Sequence, residues 1–377
     1  MFDYTVQPGD TIYSVTRLFG ITTAQLLAAN PYLQDGAIAI GQTLGIPQVA
    51  PVRPVIEVNG YAPTTVDPGV LKNVLPYLTY LSILEYDVRT DGTLPPADDA
   101  WLVETARQHG VAPLMVVNIN PNADPANGFS GELAPPLSDP ELSKKLIDSI
   151  IATLEEKQYY GVNMNFTELY LGDYSALLTF LQDFTAQLHP LGYIMVAAPR
   201  IRTLIENQEA FVRGNAAVPL NSMVDRLILS TEWACTYEYR EASYIDELQQ
   251  AIDFMIQFVS SPKILLSIPG CCYDWRLGPE YAELYRLLSS AEADALAQRT
   301  GGVFRIDPRS RTSHFTYFGD DGMFHEVLCQ IDTNLRAPLD LVEAYNLGGV
   351  SFRTIEEFST ASYQMVTAEF EIRNTSL

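Results

Sequence analysis

The chain has 377 residues, with 46 acidic against 23 basic side chains, a formal net charge of −23, and 47% hydrophobic content. That much apolar material can offset the entropy of ordering, which excludes a disordered acidic chain, and the length predicts two or three domains, or one large domain with an appendage. The charge argues against nucleic acid and anionic membrane, both polyanions that need basic patches, and says nothing against a neutral polysaccharide.

The chain opens MFDYTVQPGD, with neither a charged start nor an apolar core, so no signal peptide is expected. No run approaches the roughly 18–20 apolar residues that span a bilayer. Tyr4–Val6 reads as a short strand and Pro8-Gly9-Asp10 as a turn. Asp10 or Thr11 can cap a helix that runs to Phe19 and ends at Gly20. Thr22 or Thr23 caps a second helix carrying Leu26 and Leu27, which stops at Asn30-Pro31. Thr43–Ile46 is a closing strand. The result is a βααβ unit of about 45 residues, near the lower limit for folding without staples.

The spacing Y-x-V-x-x-G-D-T-I, then F-G-I-T, L-x-x-x-N-P and G-Q-x-L-x-I-P resembles a LysM domain over residues 1–48. That resemblance implies binding of N-acetylglucosamine-containing chains, such as peptidoglycan or chitin, by two loops. By matched position these hold Gly9, Asp10, Thr11 and Ile12, and Asn30, Pro31, Tyr32 and Leu33. Gly9 and Asp10 are turn and cap residues in any reading, and Ile12 can be core. The loop backbone and Tyr32 are the parts whose role would be binding alone.

Residues 49–54 form a proline-rich linker. Apolar runs then recur at 55–60, 79–84, 113–118, 161–166, 193–197, 226–230, 264–268 and 348–352, with amphipathic stretches such as 139–157 and 174–189 between them. Eight such alternations predict an α/β fold, a (β/α)8 TIM barrel over 55–377. The stretch HFTYFGDDGMFHEV breaks the rhythm and predicts a hairpin insertion at about 300–330, before the last strand.

Barrel chemistry sits at the C-terminal ends of the strands. Those ends carry Glu85, Tyr86 and Asp87; Asn163, Asn165, Thr167 and Glu168; Thr231, Glu232 and Trp233; Tyr273, Asp274 and Trp275; and Arg353. Acids beside aromatics suit a sugar, whose ring faces stack while its hydroxyls bond carboxylates, although any one such acid is more often a helix cap. Glu85, Trp233, Tyr273, Asp274 and Trp275 are the candidate glycan-binding mouth.

The segments YYGVNMNFTELY, RLILSTEWACTY, PKILLSIPGCCYDW, FTYFGDDGMFHEV and LGGVSF resemble, in order, those of glycoside hydrolase family 18. The resemblance is to the LysM-bearing spore-cortex-lytic N-acetylglucosaminidases of endospore formers. It implies substrate-assisted hydrolysis, in which a glutamic acid protonates the leaving group and an Asp two residues earlier orients the substrate's acetamido group. Here Asn163 stands at the motif's second acidic position, the orienting position is Asn165 and the general-acid position is Thr167. A Thr hydroxyl is far too weak an acid for that task near neutral pH. The family's strand-six Tyr is Thr231, and the Trp that floors its −1 subsite is Arg353.

The losses predict a glycan-binding spore-envelope protein with a degenerate site, inactive or weakly active. One alternative is an active N-acetylglucosaminidase with its acid relocated to Glu168 or Glu232. Strand alternation points Glu168 away from the interior unless a bulge turns it back. The other is a spore-coat interaction scaffold. By resemblance, such a protein reaches the forespore surface without a signal peptide; otherwise it is expected in the cytoplasm. No cofactor is expected. Cys235, Cys271, Cys272 and Cys329, with four scattered histidines, predict neither a disulfide framework nor a metal site.

Overall fold

The computed structural model describes residues 2–33, 38–47, 53–89, 91–119, 137, 139–166, 174–199, 208–229, 244–268, 270, 272–277, 285–307, 313–320, 322–329 and 335–375. The chain divides into two compact units, residues 1–54 with 369–371, and residues 55–368 with 372–377.

In the first unit, β1 (Phe2–Thr5) pairs antiparallel with β2 (Thr43–Ile46), and α1 (Ile12–Phe19) and α2 (Thr23–Ala29) lie between them in sequence. Thr11 caps α1: its hydroxyl accepts from Ser14 N at 3.0 Å, and Ser14 Oγ accepts from Thr11 N at 2.9 Å. Gly20, at φ +61°, ends it in a conformation that a side chain would strain. Thr22 and Gln25 form a capping box at the start of α2. Val15, Leu26, Leu44 and Ile46 are buried in the shared core.

The second unit is a closed eight-stranded parallel barrel, as the run count predicts. Its strands are β3 (Val55–Pro63), β4 (Tyr80–Asp87), β5 (Ala112–Asn118), β6 (Gly161–Phe166), β7 (Ile194–Pro199), β8 (Arg226–Leu229), β9 (Ile264–Ile268) and β15 (Gly349–Phe352). They neighbour one another in chain order, and β15 pairs back onto β3. A Cβ at Gly349 would run into the Glu57 carbonyl, so this closure needs glycine. The helices α3 (Pro68–Val74), α4 (Ala100–Gln108), α5 (Pro140–Lys157), α6 (Tyr174–Leu188), α7 (Gln208–Ala217) and α8 (Tyr244–Met255) fall between successive strands in the chain. None of the described helices is long and apolar enough to cross a membrane.

At the N-terminal end of the barrel, the Arg226 guanidinium holds the buried Glu57 carboxylate through two hydrogen bonds. Arg373 stands 3.6 Å from the same carboxylate. Above this plug the interior carries a chain of polar bonds across four strands. Asn59 donates to Ser351 at 2.9 Å and accepts from Ser82 at 2.7 Å, and Ser82 accepts from Asn163 at 3.0 Å. All four side chains are fully buried, so each bond replaces a lost water contact.

The insertion is larger than the predicted hairpin. It begins at Cys272 and forms a five-stranded antiparallel sheet, order β11-β10-β14-β13-β12. The strands are β10 (Cys272–Leu277), β11 (Tyr285–Leu288), β12 (Arg305–Ile306), β13 (Ser313–Phe318) and β14 (Phe324–Cys329), with α9 (Ser290–Thr300) packed on one face. The predicted hairpin is β13–β14. After the sheet, α10 (Arg336–Ala344) returns the chain to β15. Cys272 and Cys329 are register partners on β10 and β14, and they form a disulfide, which corrects the expectation from cysteine spacing. Spacing could not reveal it, because the partners lie 57 residues apart and meet only through the sheet.

Candidate functional site

The first unit's loop residues divide by burial. Asp10 accepts from Tyr4 Oη at 2.6 Å and from Gln7 N at 2.7 Å, so it holds the turn. The Tyr4 hydroxyl, and then the Gln7 amide, draw its carboxyl below the usual range. Gly9 sits at φ +94° in that turn. Ile12 packs against the core and Leu33 is part of it. Asn30 is 1% exposed and makes four hydrogen bonds. Its amide nitrogen donates to Leu26 O and Gly45 O, and its Oδ1 accepts from Gly45 N and Tyr32 Oη. Asn30 therefore ties the end of α2 to β2. Tyr32 is fixed by its hydroxyl, whose one proton is shared between Asn30 Oδ1 and Thr43 O, each at 2.7 Å, while its side chain stays 57% exposed. Pro31 beside it is exposed. The result is an immobilised aromatic surface on a loop, suited to stacking on an apolar sugar face.

In the barrel, alternation along β6 turns Asn163 and Asn165 to the interior. The Asn163 amide donates to Tyr61 Oη at 2.8 Å and to Ser82 Oγ. Its Oδ1 is buried without a hydrogen-bond partner among the described residues. Asn165 is half-buried at the next inward position, register-paired with Asn118 on β5. Asn118 donates to Asp87 Oδ1 at 2.8 Å, so one row at the strand ends reads Asp87, Asn118, Asn165. A register shift in β4 between Ile83 and Tyr86 falls around Glu85. Tyr86 points instead to Asp99, which also accepts from Tyr159 and Lys157. Arg353 follows β15 and is half-buried; its backbone N donates to Ile268 O. Thr167, Glu168, Thr231, Glu232 and Trp233 lie outside the described residues, as does the Glu85 side chain.

The remaining mouth candidates need correction. Tyr273, Asp274 and Trp275 are on β10 of the inserted sheet, not on the end of the seventh barrel strand. Alternation places Tyr273 and Trp275 on one face and Asp274 on the other, so the three do not converge. Tyr273 and Trp275 pack around Tyr285 at ring distances of 5.6 and 5.0 Å. Asp274 accepts from Tyr317 at 2.7 Å and lies 3.0 Å from His325 Nδ1.

One titratable group escapes sequence reasoning. Glu326, register partner of Trp275, is 1% exposed and lies 2.8 Å from His314 Nδ1. Burial pushes its carboxyl up to about 7. The two residues stand twelve apart across the hairpin turn, and no sequence signal marks the pair. Among the described residues no group of three or more His, Cys, Asp or Glu is placed to hold a metal.

Residues 4–47 match the LysM domain family. The segment is a LysM domain. Over 356 residues the chain is 24% identical to YdhD of Bacillus subtilis (strain 168), a sporulation-specific glycosylase by name, covering 93% of this chain and 83% of that protein. It is also 24% identical to the cortical fragment-lytic enzyme of Bacillus anthracis over 302 residues, covering 79% and 69% of the two chains. The crystal structure of the Bacillus cereus spore cortex-lytic enzyme SleL superposes with a TM-score of 0.77 at 24% identity, covering 99% and 88%. A chitinase from Chromobacterium violaceum superposes at 0.69 with 20% identity, covering 83% of this chain and 98% of that one. At such identities the structural likeness establishes the fold. In the LysM domain, Asp10, Thr11 and Asn30 hold the backbone, and Pro31 and Tyr32 are exposed on the loop after α2.

Proposed function

We propose that this protein binds an N-acetylglucosamine-containing glycan of the peptidoglycan type, and that its barrel hydrolyses it weakly or not at all. The LysM domain and relatives named for cortex lysis support the glycan class. They also support a place on the envelope of a spore. One observation carries the statement about activity: β6 presents Asn163 and Asn165 to the interior, and neither can ionise. Asn163 is moreover committed to Tyr61 and Ser82. Asn165 could hydrogen-bond an acetamido group but supplies no charge to a cationic intermediate. With Thr167 at the acid position, no side chain of the motif can donate the proton.

Co-sedimentation of the full chain with insoluble peptidoglycan, chitin and cellulose tests the binding. Retention on the first two but not on cellulose is expected. Equal retention on cellulose, or none on any of the three, would refute the reading.

A second reading keeps hydrolysis with a relocated acid at Glu168 or Glu232, motivated by their positions next to Thr167 and Thr231. If cleavage is observed and a Glu168→Gln, Glu232→Gln double variant leaves it unchanged, the relocation is wrong.

A further inference from the structure

The inserted sheet opens and closes on one rung. β10 begins at Cys272 and β14 ends at Cys329, and these register partners are joined by the disulfide. Their Cα atoms are 4.2 Å apart, close to the spacing of an antiparallel pair that exchanges no backbone hydrogen bonds. A terminal rung of that kind is where a ladder frays. Here the bridge closes it and turns the insertion into a covalent loop, because the two cysteines stand 57 residues apart.

The bridge also underlies α9. Cys272 and Cys329 are fully buried, in one cluster with Ala293, Leu296 and Ala297 of that helix and with Phe315 of β13. Bonded sulfurs are more compact than two thiols, which must separate to van der Waals contact. A close-packed core has no room for that separation, so reduction displaces a neighbour. α9 in turn holds a junction with the barrel. The hydroxyl proton of its first residue, Ser290, is shared between Gly270 O at 3.2 Å and Glu357 O at 3.1 Å. Gly270 lies just past the end of β9, and Glu357 just past the end of β15, both toward the C-terminal mouth of the barrel. Phe358 packs where a Gly270 side chain would stand, so this approach needs glycine. One hydroxyl therefore joins the inserted unit to two barrel strand ends.

We propose that the Cys272–Cys329 bridge is a redox-sensitive lock on the inserted sheet. Oxidised, it holds the terminal rung and, through α9, the Ser290 junction. Reduced, the rung frays and α9 loosens from Gly270 and Glu357. β9 and β15 keep their own pairing, whose register lies before the junction. The step is thiol–disulfide exchange with a low-molecular-weight thiol. A first thiolate attacks one bridge sulfur, forms a mixed disulfide and releases the other cysteine. A second thiolate attacks the small thiol's sulfur, releases the remaining cysteine and leaves as a small disulfide. Two electrons enter the protein, and each cysteine sulfur takes up a proton. Burial of both sulfurs makes the exchange wait on local opening. The lock is independent of the glycan reading.

Hydrogen exchange of the full chain, read by mass spectrometry, tests this. The chain is equilibrated with glutathione disulfide, reduced with dithiothreitol, and then reoxidised. Peptide mapping of the oxidised chain should find Cys272 joined to Cys329. On reduction, exchange in 272–277, 290–300 and 324–329 should speed up about tenfold or more. Exchange in 112–118, 161–166 and 2–33 should stay unchanged, and reoxidation should restore the rest. A Cys272→Ala, Cys329→Ala double variant should exchange fast in 272–277 and 324–329 in either redox state, which separates this pair from Cys235 and Cys271. Both cysteines free after oxidation, or Cys329 joined to Cys235 or Cys271, would overturn the proposal. So would equal exchange in the insertion of the oxidised and reduced chains. Faster exchange at 272–277 and 324–329 with 290–300 unchanged would overturn the coupling through α9. Loss of protection at 112–118 and 161–166 as well would make the bridge a support of the whole barrel and overturn a lock confined to the insertion.

Discussion

The LysM domain and the barrel treat their motif residues in opposite ways. In the LysM domain the motif builds the backbone. Asp10 closes a turn, Thr11 caps a helix and Asn30 ties α2 to β2 through four hydrogen bonds. Losing any of them costs the fold first, so a sequence that keeps the fold keeps the motif. In the barrel, β6 turns its polar side chains to the interior. β6 needs only inward side chains that satisfy their neighbours, and Asn163 does so by donating to Tyr61 and Ser82. Amides and a hydroxyl can stand where family 18 carries acids while the strand keeps its register with β5 and β7. The small domain's motif side chains are therefore tied into its backbone, while β6 holds its register with inward amides.

Four substitutions break or sharpen that contrast. Asn30→Ala removes four hydrogen bonds from a buried site and should cost the LysM domain about 3 kcal/mol. Thermal unfolding followed by hydrogen exchange in residues 2–47 would show it, and an unchanged LysM domain would remove Asn30 from the fold's supports. Asn163→Ala should cost the barrel about 2 kcal/mol, because it removes two buried hydrogen bonds, to Tyr61 Oη and Ser82 Oγ. Denaturant titration checks it, and a near-neutral result would mean that the inward polar chain contributes little. Tyr32→Ala should weaken glycan affinity about tenfold, or about 1.4 kcal/mol, without lowering the melting temperature much. Unaltered affinity would move binding away from this loop.

The fourth substitution concerns pH. Glu326 is raised from 4.5 to about 7 in the folded protein, so the native state holds its proton over that window while the unfolded chain releases it. Its contribution to stability is complete below about 4.5 and is lost as pH rises through about 7. Glu326→Gln should flatten stability against pH between those limits. A variant with the wild-type slope would assign the dependence elsewhere.

Much of the fold was legible because barrel strands are buried on both faces and announce themselves as apolar runs. All eight runs became strands, and Asp139 caps α5 by accepting from Glu141 N and Leu142 N. What stayed hidden depends on pairing between distant segments. β11 is only four residues, and β10 read as the tail of the strand before it, because Cys271 and Tyr273 follow that strand across Pro269 and Gly270. The Cys272–Cys329 bridge and the Glu326–His314 pair both exist through the register of that unseen sheet. At the candidate site, the amides at positions 163 and 165 were legible at once, since the identity of a residue needs no three-dimensional knowledge. The partners of Asn163 were not, because they come from β3 and β4, about 100 and 80 residues earlier.

The barrel is proposed to hydrolyse its glycan weakly or not at all. Incubating the full chain with purified cortex fragments and analysing the products by mass spectrometry tests it most directly. The account predicts that newly exposed N-acetylglucosamine ends appear at no more than a small fraction of the rate given by the cortical fragment-lytic enzyme, or not at all. Their release by the wild-type chain at a rate comparable to that of the cortical fragment-lytic enzyme would contradict it.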